Sequence, residues 1–303
     1  MTGVADQTLL IGADWGTTNL RAFRFGPDGQ VLEQRTAPTG IGAIGDGAFE
    51  AALMTLIEDW LATGPPPILL SGMIGSQQGW IEAPYVACPT DVDRLALGLK
   101  RLETRRGPAY IVPGLSWVRA DGTHDVMRGE ETQILGALDD DLSGLVVTPG
   151  THSKWVHVNG QRISFFRTFM SGEFYALLCD HSILGRLMSG REHRPGAFRL
   201  GVSRALADPA LLSLLFSARA EGLFGALAPD EIAAYLSGLL IGAEIGSALA
   251  ENRDAGAITI IGAPQIAALY QAALSQAGRD DVRVIDGAEA AARGLFRIGR
   301  SLI

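Results

Sequence analysis

Two short segments carry the residue types suited to gripping a chain of phosphates. Asp14-Trp15-Gly16-Thr17-Thr18 and Thr148-Pro149-Gly150-Thr151-His152-Ser153 each place a Gly-Thr pair after an apolar run, residues 9–11 in the first case and 145–147 in the second. Glycine lets backbone N–H groups close on an anion, and threonine and serine hydroxyls add further donors. Two such loops in one chain predict a polyphosphate held from both, by Gly16, Thr17 and Thr18 on one hand and by Gly150, Thr151, His152 and Ser153 on the other. A carboxylate beside phosphates is tolerated when a divalent cation lies between them, so Asp14 predicts magnesium.

The elements that must position these loops repeat. After the first loop, residues 20–25 read as a strand, Gly26-Pro27-Asp28-Gly29 as a turn and residues 30–36 as a strand. After the second, residues 154–158 alternate, Asn159-Gly160 supplies a tight hairpin turn, and residues 161–168 follow. Such repetition predicts two similar half-domains. Between them the spacing predicts a helix over 47–63, a buried strand over 68–70, a helix over 91–101, a strand over 110–113 and a helix over 129–138. The second half turns helical over 172–187, 203–220 and 230–250. A strand at 257–261 is stopped by Gly262-Ala263-Pro264 before a helix over 265–277, a junction where open sheets present ligands. A strand at 282–285 and a helix over 288–298 end the chain. The expected division is 1–138 with the last helix, 287–303, against 139–286. No low-complexity linker intervenes, which predicts a tight, hinged interface.

At 303 residues and 47% hydrophobic content the chain is long enough for two buried cores. Its net charge is −8, with 33 acidic and 25 basic residues, and its basic runs go no further than Lys100-Arg101 and Arg105-Arg106, which argues against a nucleic-acid partner. Residues 1–7 lack the basic region and apolar core of a signal peptide, and the most apolar stretch, residues 236–250, is interrupted by Glu244 and several glycines. No membrane association is expected. Cys88 and Cys179 are too few for a disulfide framework, and the histidines show no metal spacing, so a reducing cytoplasm is expected.

The order of these parts resembles the actin, hexokinase and Hsp70 superfamily. More narrowly, residues 14–21 (DWGTTNLR), 71–89 (SGMIGSQQGWIEAPYVACP), 125–133 (DVMRGEETQ), 149–155 (PGTHSKW) and 166–173 (FRTFMSGE) resemble the 2-dehydro-3-deoxygalactonokinase family of bacterial sugar-acid kinases. The likeness runs from about residue 9 to the C-terminus. It implies an α/β, two-lobed, actin-like ATPase (ribonuclease H-like) fold, each lobe a mixed sheet with a leading β-hairpin unit flanked by helices. It also implies phosphorylation of 2-dehydro-3-deoxy-D-galactonate at its C6 hydroxyl by ATP with Mg2+, with Gly262 and Ala263 passing close to the adenosine.

In related sugar kinases the base is a carboxylate just before or at the start of the helix linking the lobes. Asp125, Glu130 and Glu131 all lie there; Asp125 or Glu130 is preferred over Glu131, and a capping role is the competing reading of each. A sugar acid needs a donor for its carboxylate, and Arg21, Arg128 and Arg167 are the arginines of the matching segments, Arg167 being the first choice. Gly75, Ser76, Gln77 and Gln78 suit recognition of a polyol. A phosphohydrolase of the exopolyphosphatase type would use the same loops on water, and a sugar-sensing regulator would use them without chemistry. The aromatic and Gln-rich stretch at 76–85 favours an organic acceptor over water. The roughly eight residues before the first strand leave no room for the DNA-binding domain such regulators carry. A homodimer is compatible with all of this.

Overall fold

The computed structural model describes residues 7–45, 47–62, 64–138, 143–253 and 256–303. Alternating side chains and glycine turns build the leading hairpins, β1 (Leu10–Trp15), β2 (Leu20–Phe25) and β3 (Val31–Ala37), paired antiparallel in order. α1 (Phe49–Ile57) turns Phe49, Leu53, Met54 and Ile57 inwards at helical spacing, and burying each contributes about 1.5–3 kcal/mol. β4 (Ile68–Gly72), buried throughout, lies parallel to β1. Then come β5 (Tyr85–Ala87), α2 (Val92–Leu97), β6 (Lys100–Thr104), β7 (Gly107–Ile111), β8 (Gly114–Val118), β9 (His124–Met127) and α3 (Glu130–Ala137). Six strands form one sheet in the order β3-β2-β1-β4-β7-β6, and β5-β8-β9 form a separate small sheet.

The second hairpin unit is β10 (Gly144–Thr148), β11 (Ser153–Asn159) and β12 (Arg162–Phe169), turning at Gly160 with φ +58°. Helices α4 (Ser171–His181), α5 (Pro195–Ala207), α6 (Leu211–Leu223) and α7 (Ile232–Glu251) follow, then β13 (Ile258–Gly262), α8 (Pro264–Gln276), β14 (Val282–Asp286) and α9 (Gly287–Gly299). The sheet order is β12-β11-β10-β13-β14, with β13 parallel to β10. The chain divides into two compact units, Met1–Ser143 with Val156–Phe166 and Ile285–Ile303, and Gly144–Trp155 with Arg167–Val284. The second-half start expected near residue 139 lies outside the described residues.

Within the first unit, α3 and α9 cross backbone to backbone. A Cβ on Gly136 would overlap the carbonyl of Ala290, and one on Gly294 would overlap that of Thr132, so both positions require glycine. Arg297 of α9 donates to Leu135 O at 2.8 Å and to Leu138 O, closing the carbonyl end of α3.

Several elements differ from expectation. The helix expected over 91–101 stops at Leu97, and Lys100–Thr104 is an edge strand whose charged residues face water, a charge pattern that reads equally well as helix. The single helix expected over 203–220 is two, broken at Asp208-Pro209, with Pro195 in the first turn of α5. The small sheet had no counterpart in the expected elements; its strands hold three to five residues and are partly exposed. α7 is long and apolar enough to cross a membrane by length and hydropathy, yet 72% of that window is buried inside the protein, among the second unit's core residues.

Candidate active site

Asp14 sits next to last on β1, directly opposite Arg21 on β2 and Ser71 on β4. Its carboxylate lies 3.9 Å from the Arg21 guanidinium and keeps 19% of its side chain open. Burial raises its pKa to about 6; Arg21 pulls it down and the nearby charge of Glu130 pushes it up. The Gly16–Asn19 turn that follows is held from behind. Gly40, Ile41 and Gly42 donate their backbone N–H groups to the carbonyls of Thr18, Gly16 and Thr17 at 3.0, 3.0 and 3.1 Å. Thr17 and Thr18 themselves are exposed.

Two glycines with left-handed backbone bring Glu130 to Asp14. Gly72 ends β4 at φ +91°, where a Cβ would come within 2.7 Å of Trp15 O and 3.4 Å of the Asp14 carboxylate. Gly129 precedes α3 at φ +106°, where a Cβ would reach the Gly72 Cα at 3.2 Å. The start of α3 is thereby seated over the end of β4, and Glu130 is its first residue. Its carboxylate accepts from the Arg128 backbone N–H at 3.2 Å.

Glu131, the next residue, is set differently. It is fully buried, accepting from Gly129 N–H at 2.7 Å and from the Thr132 hydroxyl at 3.1 Å. Burial first, and Glu130 second, raise its pKa to about 8. Asp125 lies within β9 opposite Trp117, where it accepts from Val126 N–H at 2.8 Å; the expected helix-cap setting does not hold, because a strand occupies this stretch.

The loop between β4 and β5 folds on itself through Trp80 N–H to Ile74 O and Ala83 N–H to Gly75 O, both 2.9 Å. Gly75 and Ser76 are buried and Gln77 and Gln78 are exposed. Ser71 Oγ and Ser76 Oγ are buried with no hydrogen-bond partner, as are Nε and Nη1 of Arg128.

In the second unit, the loop after β10 is clipped to the start of α4. Glu173 N–H donates to Thr151 O at 2.9 Å, and the Glu173 carboxylate meets His152 Nε2 at 2.5 Å. Gly172 packs so closely on the Gly150 carbonyl that a Cβ would overlap it, while Gly150 itself opens on free space. Ser153 departs from expectation. Its hydroxyl is wholly buried and bonds Tyr270 OH at 2.8 Å, which donates to Glu244 at 2.9 Å, where Trp155 Nε1 also donates at 2.8 Å. The serine therefore anchors the loop to the core and does not present a donor to a ligand. Sequence reasoning missed this network; a lone carboxylate in the apolar run of α7 was the available signal, since a buried charge needs hydrogen-bonding partners.

Arg167 forms an ion pair with Glu251 and lies over Phe169 at 5.0 Å. A pocket of about 260 Å³ opens beside Gly150 and Gly172, walled by Tyr175, Leu240, Ile266 and Leu269. Gly262 and Ala263 lead into α8, which supplies part of that wall, but neither lines it. Among the described residues, no three His, Cys, Asp or Glu side chains gather as a metal site.

A family model described as 2-keto-3-deoxy-galactonokinase matches residues 14–298. A 2-dehydro-3-deoxygalactonokinase of Escherichia coli (strain K12) is 37% identical over 292 residues, covering 96% of this chain and 98% of that protein. The crystal structure of a candidate 2-dehydro-3-deoxygalactonokinase from Sinorhizobium meliloti superposes with a TM-score of 0.89 at 36% identity, over 97% of this chain and 99% of that one. Component A of the (R)-2-hydroxyglutaryl-CoA dehydratase of Acidaminococcus fermentans, 11% identical with a TM-score of 0.54 over 98% of this chain and 100% of that one, shares the fold alone, an actin-like ATPase fold. Because the model and the relatives span nearly all of the sequence, including Asp14, Glu130 and both Gly-Thr loops, the chain belongs to the 2-keto-3-deoxy-galactonokinase family of kinases.

Proposed function

We propose that the protein transfers the γ-phosphoryl group of ATP to the C6 hydroxyl of 2-dehydro-3-deoxy-D-galactonate. The observation that carries this reading is the seating of the start of α3, with Glu130 its first residue, over the end of β4 beside Asp14, arranged by Gly72 and Gly129. Phosphoryl transfer needs positioning, charge compensation and a proton acceptor more than covalent chemistry. Glu130 takes the proton from the C6 hydroxyl as its oxygen bonds to the γ-phosphorus and the bond to the β-γ bridging oxygen breaks, releasing ADP. Asp14 suits magnesium, because that ion is held through one or two carboxylates together with substrate phosphates. Bound there, it would offset the charge of the phosphates.

Thr17 and Thr18 offer exposed N–H and hydroxyl donors on the Asp14 side. In the second unit Gly150, Thr151 and the start of α4 supply donors, as helix N-termini do for anions. Thr148 Oγ1, buried without a partner at the end of β10, belongs to the same group. The apolar pocket beside Gly150 suits the adenosine.

A coupled assay of ADP release across a panel of 2-dehydro-3-deoxy acids tests the reading. ADP release that depends on the acid, fastest with the galactonate-derived epimer, is expected. Equal release in buffer alone, or phosphorylation of a simple hexose and of none of the acids, would overturn it.

A further inference from the structure

Arg128 is an arginine of the matching segments whose guanidinium is buried with two donor atoms to spare. The residue is 8% exposed and stands just before the Gly129 turn that delivers Glu130. Nη2 donates to Ala83 O at 2.8 Å, and the guanidinium lies 4.5 Å above the Tyr85 ring. Nε and Nη1 make no hydrogen bond. Gly75 closes the third side, where a Cβ would press to 3.0 Å from Nη1 and 2.8 Å from Ile111. Ser76 Oγ, on the same loop, is likewise buried and unpartnered.

A permanently charged group withdrawn from water with two donor atoms unmet is costly unless an anion completes it. The other two arginines are already engaged. Arg21 faces Asp14, and Arg167 is paired with Glu251. We propose that Arg128 is the specificity residue of the acceptor site, taking one oxygen of the C1 carboxylate of the sugar acid on Nη1, with Ser76 Oγ as a neutral neighbour for the adjoining oxygen. The inference rests on the sugar-acid reading above and narrows it. The loop 73–83, held closed by its own hydrogen bonds, is then the segment that must admit the substrate, and Tyr85 and Gly75 fix the plane of the guanidinium so that it meets a planar carboxylate.

The test compares 2-dehydro-3-deoxy-D-galactonate with its C1 carboxamide, using the wild-type chain and the R128K and R128M variants. The wild type should favour the acid, and both variants should lose that preference by about tenfold or more, through KM for the acid, with lysine recovering part of it. An acid-to-amide preference unchanged in both variants would overturn the proposal while leaving the kinase reading intact. A wild type that phosphorylates neither compound would overturn the kinase reading itself. Should the variants fail to fold, a crystal structure of the wild-type protein with the acid bound decides. A carboxylate within hydrogen-bond distance of Arg128 Nη1 supports the proposal, and a carboxylate bound anywhere else overturns it.

Discussion

The two Gly-Thr loops match in sequence and part company in construction. Aligned on their glycines, the first has Asp14 where the second has Thr148. The first carries a mostly buried carboxylate beside Arg21 and Glu130, with Thr17 and Thr18 exposed and the turn's carbonyls held by residues 40–42. The second carries no carboxylate at that position, and its last hydroxyl, Ser153, is turned into the core against Tyr270. One loop is arranged for charge and the other for rigidity. The proposed chemistry therefore falls to the first loop, and the second is the more rigid of the two.

The sharpest break of this comparison is Asp14→Asn, which removes the charge from the first loop. It should lower kcat by about a thousandfold or more, as loss of a transition-state electrostatic group does, without a matching fall in thermal stability. Activity within tenfold of wild type would place the metal elsewhere. Glu130→Gln comes next, with a loss of about a hundredfold in kcat and little change in KM for ATP, the scale expected of a positioned base. If Asp125→Asn gives that loss and Glu130→Gln does not, the base sits on β9.

A paired exchange sharpens the contrast. Ser153→Ala should cost about 1 kcal/mol of stability and leave KM for ATP unmoved. Thr18→Ala should do the reverse, raising KM for ATP by roughly fivefold, equivalent to about 1 kcal/mol. Equal effects on KM would erase the distinction drawn here.

The smallest effect concerns Glu131. Its folded pKa, about 8, lies above the ordinary carboxyl value, so from that value up to about 8 the folded state holds a proton the unfolded chain has released. Stability contributed by the neutral carboxyl is complete below the unfolded pKa and is lost as pH rises through about 8. Glu131→Gln should flatten the melting temperature across that interval. A variant whose slope matches wild type would show that another group titrates there.

Much of this arrangement was legible in the sequence, because it rests on local rules. Glycine turns bounded by alternating residues located both hairpin units, and Gly262-Ala263-Pro264 marked the entry to α8. The resemblance of residues 125–133 pointed to the helix carrying Glu130. What was not legible depends on tertiary surroundings. Nothing local distinguishes Glu130 from Glu131, adjacent residues of one helix turn, until Gly129 and Gly72 show which side is buried. The role of Ser153 depends on Tyr270, far along the chain. The edge strand Lys100–Thr104 is defined by its pairing with β7, which its own charged sequence does not announce.

The crossing of α3 and α9 also has a meaning in time. Gly136, Gly294 and Arg297 join the helix that bears Glu130 to one synthesised well after it. Nearly half the polypeptide is made between them, about 10 s of synthesis or more at typical elongation rates. During that interval the first unit lacks α9, and the Gly136 face of α3 stands uncovered in the nascent protein. A message stalled before α9 therefore yields a first half in which α3 lacks its covering helix.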